Sequence, residues 1–96
     1  MIEIRIASAV NGFAEDKDIA RQLRQERILP AIKNQEEVIV DFKGVEGATQ
    51  SFVHALISDL IRKEGAAVLD RIYFKNCNET IKKIISIVVD YMQESE

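Results

Sequence analysis

Val38-Ile39-Val40-Asp41-Phe42-Lys43-Gly44-Val45-Glu46-Gly47-Ala48-Thr49-Gln50-Ser51-Phe52 is the stretch that decides the fold. Val38, Ile39 and Val40 are consecutive and β-branched, which predicts a strand over residues 37–42. An unbroken apolar run of this kind suits a strand covered on both faces, at the centre of a sheet. Gly44 and Gly47 are read as supplying turn geometry. At Phe52 the period changes. Phe52, Val53, Leu56, Ile57, Leu60 and Ile61 recur at helical spacing, while His54, Ser58, Asp59 and Arg62 fall off that stripe.

Toward the start of the chain, Ile2, Ile4 and Ile6 alternate with Glu3 and Arg5, the pattern of a half-buried strand, expected to end near Ser8. Asn11-Gly12 marks a turn, since both residues tolerate positive φ. A helix is expected from Asp16 or Asp18, acidic residues that suit the positive end of the helix dipole. Its stripe, Ile19, Leu23, Ile28 and Ile32, is loose and is interrupted by Pro30, where the helix either kinks or restarts. The mixed charges Glu15, Asp16, Lys17, Asp18, Arg21 and Arg24 read as a solvated helix face.

Toward the other end, Gly65-Ala66-Ala67 closes the central helix. Residues 71–75 form a third strand, with Ile72 and Phe74 on one face and Tyr73 on the other. Ile81, Ile84, Ile85, Val88, Val89 and Met92 make the core face of a last helix, with Asn78 as its N-cap. The order β-α-β-α-β-α implies parallel neighbours joined by right-handed crossovers. The expected architecture is a small α/β sandwich, a mixed or parallel sheet with helices packed against it, over residues 1–96 as one domain.

Composition excludes several classes of function. Thirteen Lys and Arg against sixteen Asp and Glu give a net charge of −3, with no basic excess for phosphate backbones, so nucleic acid is not an expected partner. Cys77 is the single cysteine and His54 the single histidine, so neither an internal disulfide nor a metal cluster is expected. No apolar run has the length of a signal peptide or of a bilayer span, and the expectation is a cytoplasmic protein without membrane attachment. No cofactor is expected.

In parallel α/β folds, sites lie beyond the carboxyl ends of the inner strands. Here these are residues 43–48 and 76–78, each leading into a helix N-terminus. Asp41 is either a functional carboxylate or, more simply, an acceptor for loop amides. Lys43 and Lys75 are placed to meet a phosphate, or are solvated rim lysines. The glycines are too few and wrongly spaced for a phosphate-cradling loop. His54 lies one turn from Ser51, yet no oxyanion loop or orienting acid completes a nucleophile–base pair. Cys77 is either a thiolate at a helix start or a semi-buried filler. No catalytic residue is assigned, and enzyme activity is not expected.

The run ending Val40-Asp41-Phe42, the Gly44-Val45 turn and the helix opening Ser51-Phe52 together resemble the STAS-like domain family, small relatives of the STAS domains of bacterial anti-sigma factor antagonists. The resemblance extends through Arg71-Ile-Tyr-Phe-Lys-Asn76 and the last helix. In such antagonists a serine at the start of this helix is phosphorylated by a kinase that is also the anti-sigma factor. Ser51 is the corresponding position. The resemblance implies a regulatory, protein-binding domain acting with a histidine-kinase-like ATPase or anti-sigma-type partner. Its partner surface would comprise Asp41, Lys43, Gly44, Thr49, Gln50, His54, Lys75 and Asn76. Where antagonists commonly carry Asp-Ser-Ser-Gly, the chain reads Thr49-Gln50-Ser51-Phe52. The simpler role for Thr49 or Ser51 is to cap the helix by accepting an amide. A structural or self-associating module is the first alternative, and a small anion- or nucleotide-binding domain the second.

Overall fold

The sequence is organised by a strand that must be buried and helices that must bury one stripe, and the computed structural model, which describes residues 1–94, satisfies both. In chain order the elements are β1 (Ile2–Arg5), β2 (Phe13–Ala14), α1 (Lys17–Leu23), α2 (Leu29–Lys33), β3 (Val38–Asp41), β4 (Gly47–Ala48), α3 (Gln50–Glu64), β5 (Ile72–Lys75) and α4 (Glu79–Glu94). The main sheet has the order β1-β3-β5, parallel throughout, with β3 in the centre as its apolar run requires. A second, two-residue parallel pairing joins β2 to β4.

Register determines what each face of the main sheet carries. Ile2, Val38 and Ile72 share one row, and Ile4, Val40 and Phe74 another. These rows join the core with Ile6, Phe42, Phe52, Leu56, Ile57, Leu60, Ile61 and Ile81. Fully burying each such aliphatic or aromatic side chain stabilises by about 1.5–3 kcal/mol. The intervening rows are Glu3-Ile39-Tyr73 and Arg5-Asp41-Lys75. On that side Ile39 is only half-buried, and Glu3, Arg5, Tyr73 and Lys75 are exposed. The expectation that β3 is covered on both faces is therefore corrected. Its centre position is right, but its flanking strands place polar residues beside Ile39 and leave the outer face open.

Two further expectations are revised, and the alternatives at Pro30 are resolved. β1 stops at Arg5, because Ile6–Ser8 turns into a 3-10 segment whose Ile6 carbonyl accepts the amides of Ala9 and Val10. Pro30 marks a restart, the second of its two expected outcomes. It sits in the first turn of α2, behind a π-helical turn, Arg24–Ile28, in which the Leu29 amide reaches back to the Arg24 carbonyl. The wider turn accommodates the missing proline donor. Gly47 is not a turn glycine but a strand residue against which the Phe13 ring packs; a Cβ there would lie 2.8 Å from Phe13 Cε2. Gly44, with φ +84°, does serve as the turn.

The charged face of α1 is also not wholly solvated. Ala20 of α1, Arg24 and Ile28 of the π turn and Ile32 of α2 form one buried line, and Arg24 is only 7% exposed. Its guanidinium donates to the Ala55 carbonyl and pairs with Asp59 at 3.2 Å, tying the π turn to α3. Ser58, read as lying off the α3 stripe, is buried as well. Among the described residues no helix is long and apolar enough to cross a membrane.

Candidate functional site

Asp41 closes β3 and organises the strand ends. Its Oδ1 accepts the Lys43 amide and the Asn76 side-chain amide, each at 2.9 Å. Asn76 reaches it from a left-handed conformation, φ +58°, that asparagine tolerates better than most residues. The Asn76 bond, then the Lys43 amide, hold the Asp41 carboxyl below the usual carboxylate range, with Lys75 and Arg5 adding attraction. Both donors favour the ionised form. Asp41 thus does what a turn-flanking aspartate does: it staples two loops.

Around it lies a depression of about 510 Å³ lined by Arg5, Ser8, Lys43, Lys75 and Asn76, among others. Glu3 draws in Arg5 Nε at 3.7 Å and Lys75 Nζ at 3.6 Å. Lys43 is exposed. Gly44 supplies the turn between this cluster and the chain leading to α3.

The remaining candidates gather elsewhere, at the start of α3. Thr49 is the N-cap, with φ −88° and ψ 157°, and its Oγ1 accepts the Phe52 amide at 3.1 Å. That resolves the capping alternatives in favour of Thr49. Ser51 is exposed in the first turn, and its hydroxyl makes no hydrogen bond among the described residues. An anionic group on it would sit at the positive end of a fifteen-residue helix. Gln50, Ser51 and His54 line one wall of a groove of about 300 Å³, and Ile87, Val88 and Tyr91 of α4 line the other. The His54 and Tyr91 rings are 6.4 Å apart. Ile87 and Tyr91 are 42% and 59% exposed, large apolar surface at a position where α4 would otherwise be polar.

The expected single surface from Asp41 to His54 is therefore two surfaces, and no residue lines both depressions. Asp41, Lys43, Lys75 and Asn76 belong to the strand ends, while Gln50, Ser51 and His54 belong to the α3–α4 groove. The sequence reading missed Ile87 and Tyr91. Their i, i+4 spacing off the core stripe was the available signal.

Cys77 is half-buried, and burial pushes its thiol up, as fits a filler rather than a thiolate. The Asn78 cap holds: its Oδ1 accepts the Ile81 amide at 2.9 Å, and its Nδ2 donates to the Glu46 carbonyl at 2.7 Å. Among the described residues no group of three or more His, Cys, Asp or Glu is placed to hold a metal.

Comparison with known proteins adds one finding. Residues 20–82 match the family model described as a STAS-like domain of unknown function (DUF4325). No curated protein and no solved structure matches the chain. The matched span takes in both strand-end loops and all of α3, while β1 and the Ile87–Tyr91 segment lie outside it. With more than half of its residues matched, from within α1 to the first turn of α4, the chain belongs to the STAS-like domain family.

Proposed function

We propose that this domain is a non-catalytic regulatory module of the cytoplasm that binds a protein partner through the α3–α4 groove, with Ser51 as its switch. The observation that carries the reading is the division of labour at the start of α3. Thr49 takes the cap, and Ser51 is left exposed, its hydroxyl without a hydrogen bond among the described residues, on the rim of a groove that presents Ile87 and Tyr91. Exposed aromatic and aliphatic anchors beside polar groups are what a docking surface offers a partner. Transfer of the ATP γ-phosphoryl group to Ser51 Oγ would add a charge of about −1.5 to −2 at that rim. The helix dipole would favour the phosphate on the free domain by about 0.3–1 kcal/mol. An apolar partner segment would meet a new desolvation cost. A histidine-kinase-like ATPase that both binds and phosphorylates the domain, or an anti-sigma-type regulator, fits this behaviour.

The test has two parts. Phosphopeptide mapping of the domain purified from its native cells should find phosphate on Ser51. Quantitative co-purification should then show one partner retained by the wild type and by Ser51→Ala, and lost by both Ser51→Glu and Tyr91→Asp. Identical partner sets for all four proteins would overturn the proposal.

A further inference from the structure

Asn11-Gly12 is the one asparagine–glycine step in the chain, and it lines neither the α3–α4 groove nor the strand-end depression. An asparagine side chain is open to attack by its own backbone when the next amide nitrogen can reach its Cγ. A hydrogen bond that holds the side chain opposes that approach, as does one that holds the next amide. A β-carbon on the following residue crowds the nitrogen, and glycine alone lacks it.

The structure separates the four asparagines on these grounds. Asn76 commits its side-chain amide to Asp41 Oδ1 at 2.9 Å. Asn78 commits both ends, to the Glu46 carbonyl at 2.7 Å and to the Ile81 amide at 2.9 Å. Asn34 is exposed, but the Gln35 amide that would attack it donates to the Ile32 carbonyl at 3.0 Å, and Gln35 carries a side chain. Asn11 has none of these restraints. It is exposed, and its side chain makes no hydrogen bond among the described residues. The Gly12 amide likewise donates to no group among them. Both residues lie in the loop between the 3-10 segment and β2, where dihedrals can change without breaking a ladder.

We propose that Asn11-Gly12 is a site of spontaneous covalent modification, at which water and the chain itself convert Asn11 to isoaspartate and aspartate. Gly12 N bonds to Asn11 Cγ and closes a five-membered succinimide ring. The Cγ–Nδ2 bond breaks, and the proton lost from Gly12 N leaves with that nitrogen as ammonia. Water then opens the ring. Cleavage at Cγ gives aspartate, and cleavage at the main-chain carbonyl gives isoaspartate, whose backbone runs through the former side chain. No oxidant, metal or second protein enters the balance.

Either product adds one negative charge to the net −3 of the chain. Isoaspartate also lengthens the backbone by one methylene directly before β2. There the Gly12 carbonyl accepts the Glu46 amide at 2.7 Å, and Phe13 and Ala14 pair with Gly47 and Ala48. The added length therefore loosens the β2–β4 pairing. The site stands apart from Ser51, so it does not depend on the proposed partner binding.

Peptide mapping of the full-length wild type tests this, after ageing of the pure protein in mildly alkaline buffer at physiological temperature. Mass spectrometry with backbone fragmentation that distinguishes isoaspartate from aspartate should find both at position 11. Asn11 should convert at least roughly tenfold faster than Asn34, Asn76 or Asn78. The rate should rise with pH, because Gly12 N attacks after losing its proton. Gly12→Ala, if circular dichroism shows it folded, should convert more slowly, and the wild-type comparison stands without it. In the aged fraction, separated by anion exchange, the Glu46 amide should exchange its hydrogen faster than in unmodified protein. An Asn11 that survives ageing, or that converts no faster than the other three, would overturn the proposal. Equal exchange at Glu46 in the two fractions would overturn the coupling to β4.

Discussion

Thr49 Oγ1 accepts the Phe52 amide at 3.1 Å, and the hydroxyl of Ser51, between them in sequence, takes no part in ending the helix. The two hydroxyl residues that look interchangeable in sequence have different tasks in the structure. Their substitutions should separate accordingly. Thr49→Ala should cost about 1 kcal/mol, lowering Tm by about 4–8 °C for a domain of this size. Ser51→Ala should stay within about 0.5 kcal/mol of wild type. Urea and thermal denaturation of the two variants measure both, and a Ser51→Ala cost equal to that of Thr49→Ala would contradict the assignment of the cap.

Arg24 and Asp59 should behave as a coupled pair. Asp59→Ala leaves a buried guanidinium with only the Ala55 carbonyl, and should cost about 2 kcal/mol. Arg24→Met keeps the apolar stem and leaves Asp59, whose side chain is 36% exposed, able to find water. It should cost less, about 1 kcal/mol. The double variant should be more stable than the sum of the two losses predicts, as a double-mutant cycle in urea would show.

Asp41 sets a pH dependence of known sign. Its folded pKa lies below the ordinary value of 3.8, so the stability it contributes is present above that value and is lost as pH falls through the folded pKa. Asp41→Asn removes this linkage. The stability advantage of wild type over Asp41→Asn should be constant near neutral pH and shrink in acid. Equilibrium unfolding of both proteins from neutral pH down to below the ordinary carboxylate value follows the loss; an advantage that grows in acid would refute the carboxylate's role.

Gly47 and Phe13 should be coupled sterically. Gly47→Ala places a methyl group 2.8 Å from the Phe13 ring, which must swing outward. Because Phe13 is half exposed it can do so, and the cost should be about 1 kcal/mol. In a Phe13→Ala background the same substitution should be close to neutral. Gly44→Ala, by contrast, meets φ +84° and should cost about 1–2 kcal/mol whatever Phe13 is.

What could be read directly from the residues was whatever repeats with a period or obeys local chemistry. Val38 to Val40 placed the central strand, and the stripes from Phe52 and from Ile81 placed α3 and α4. Asn78 announced a cap that the structure confirms by its bond to Ile81, and the helix expected from Asp16 or Asp18 begins at Lys17, with Asp16 as its N-cap. The loop-stapling role of Asp41 followed from its position beside a turn. The β2–β4 pairing was beyond such reading, because two residues rich in Ala and Gly carry no period and little strand preference. The π turn was equally hidden. It arises from the conflict between a continuous helix and Pro30, and its outcome depends on what the displaced side chains meet.

Sequence alone therefore determined the order of the three main-sheet strands and the helices that follow them, the central place of β3 and the candidate residues from Asp41 to His54, since these rest on local propensity and one-dimensional pattern. Tertiary structure decided how those residues are grouped. Chain folding separates Lys43 from Ser51, only eight positions away, into different depressions, and brings Ile87 and Tyr91 of α4 against Ser51 and His54. It also buries Arg24 beside Asp59 and leaves Ile39 under an open face. The physical reason is the same in each case. Burial and charge pairing depend on which elements pack together and in what register, and register is set by the whole core rather than by any stretch of the chain.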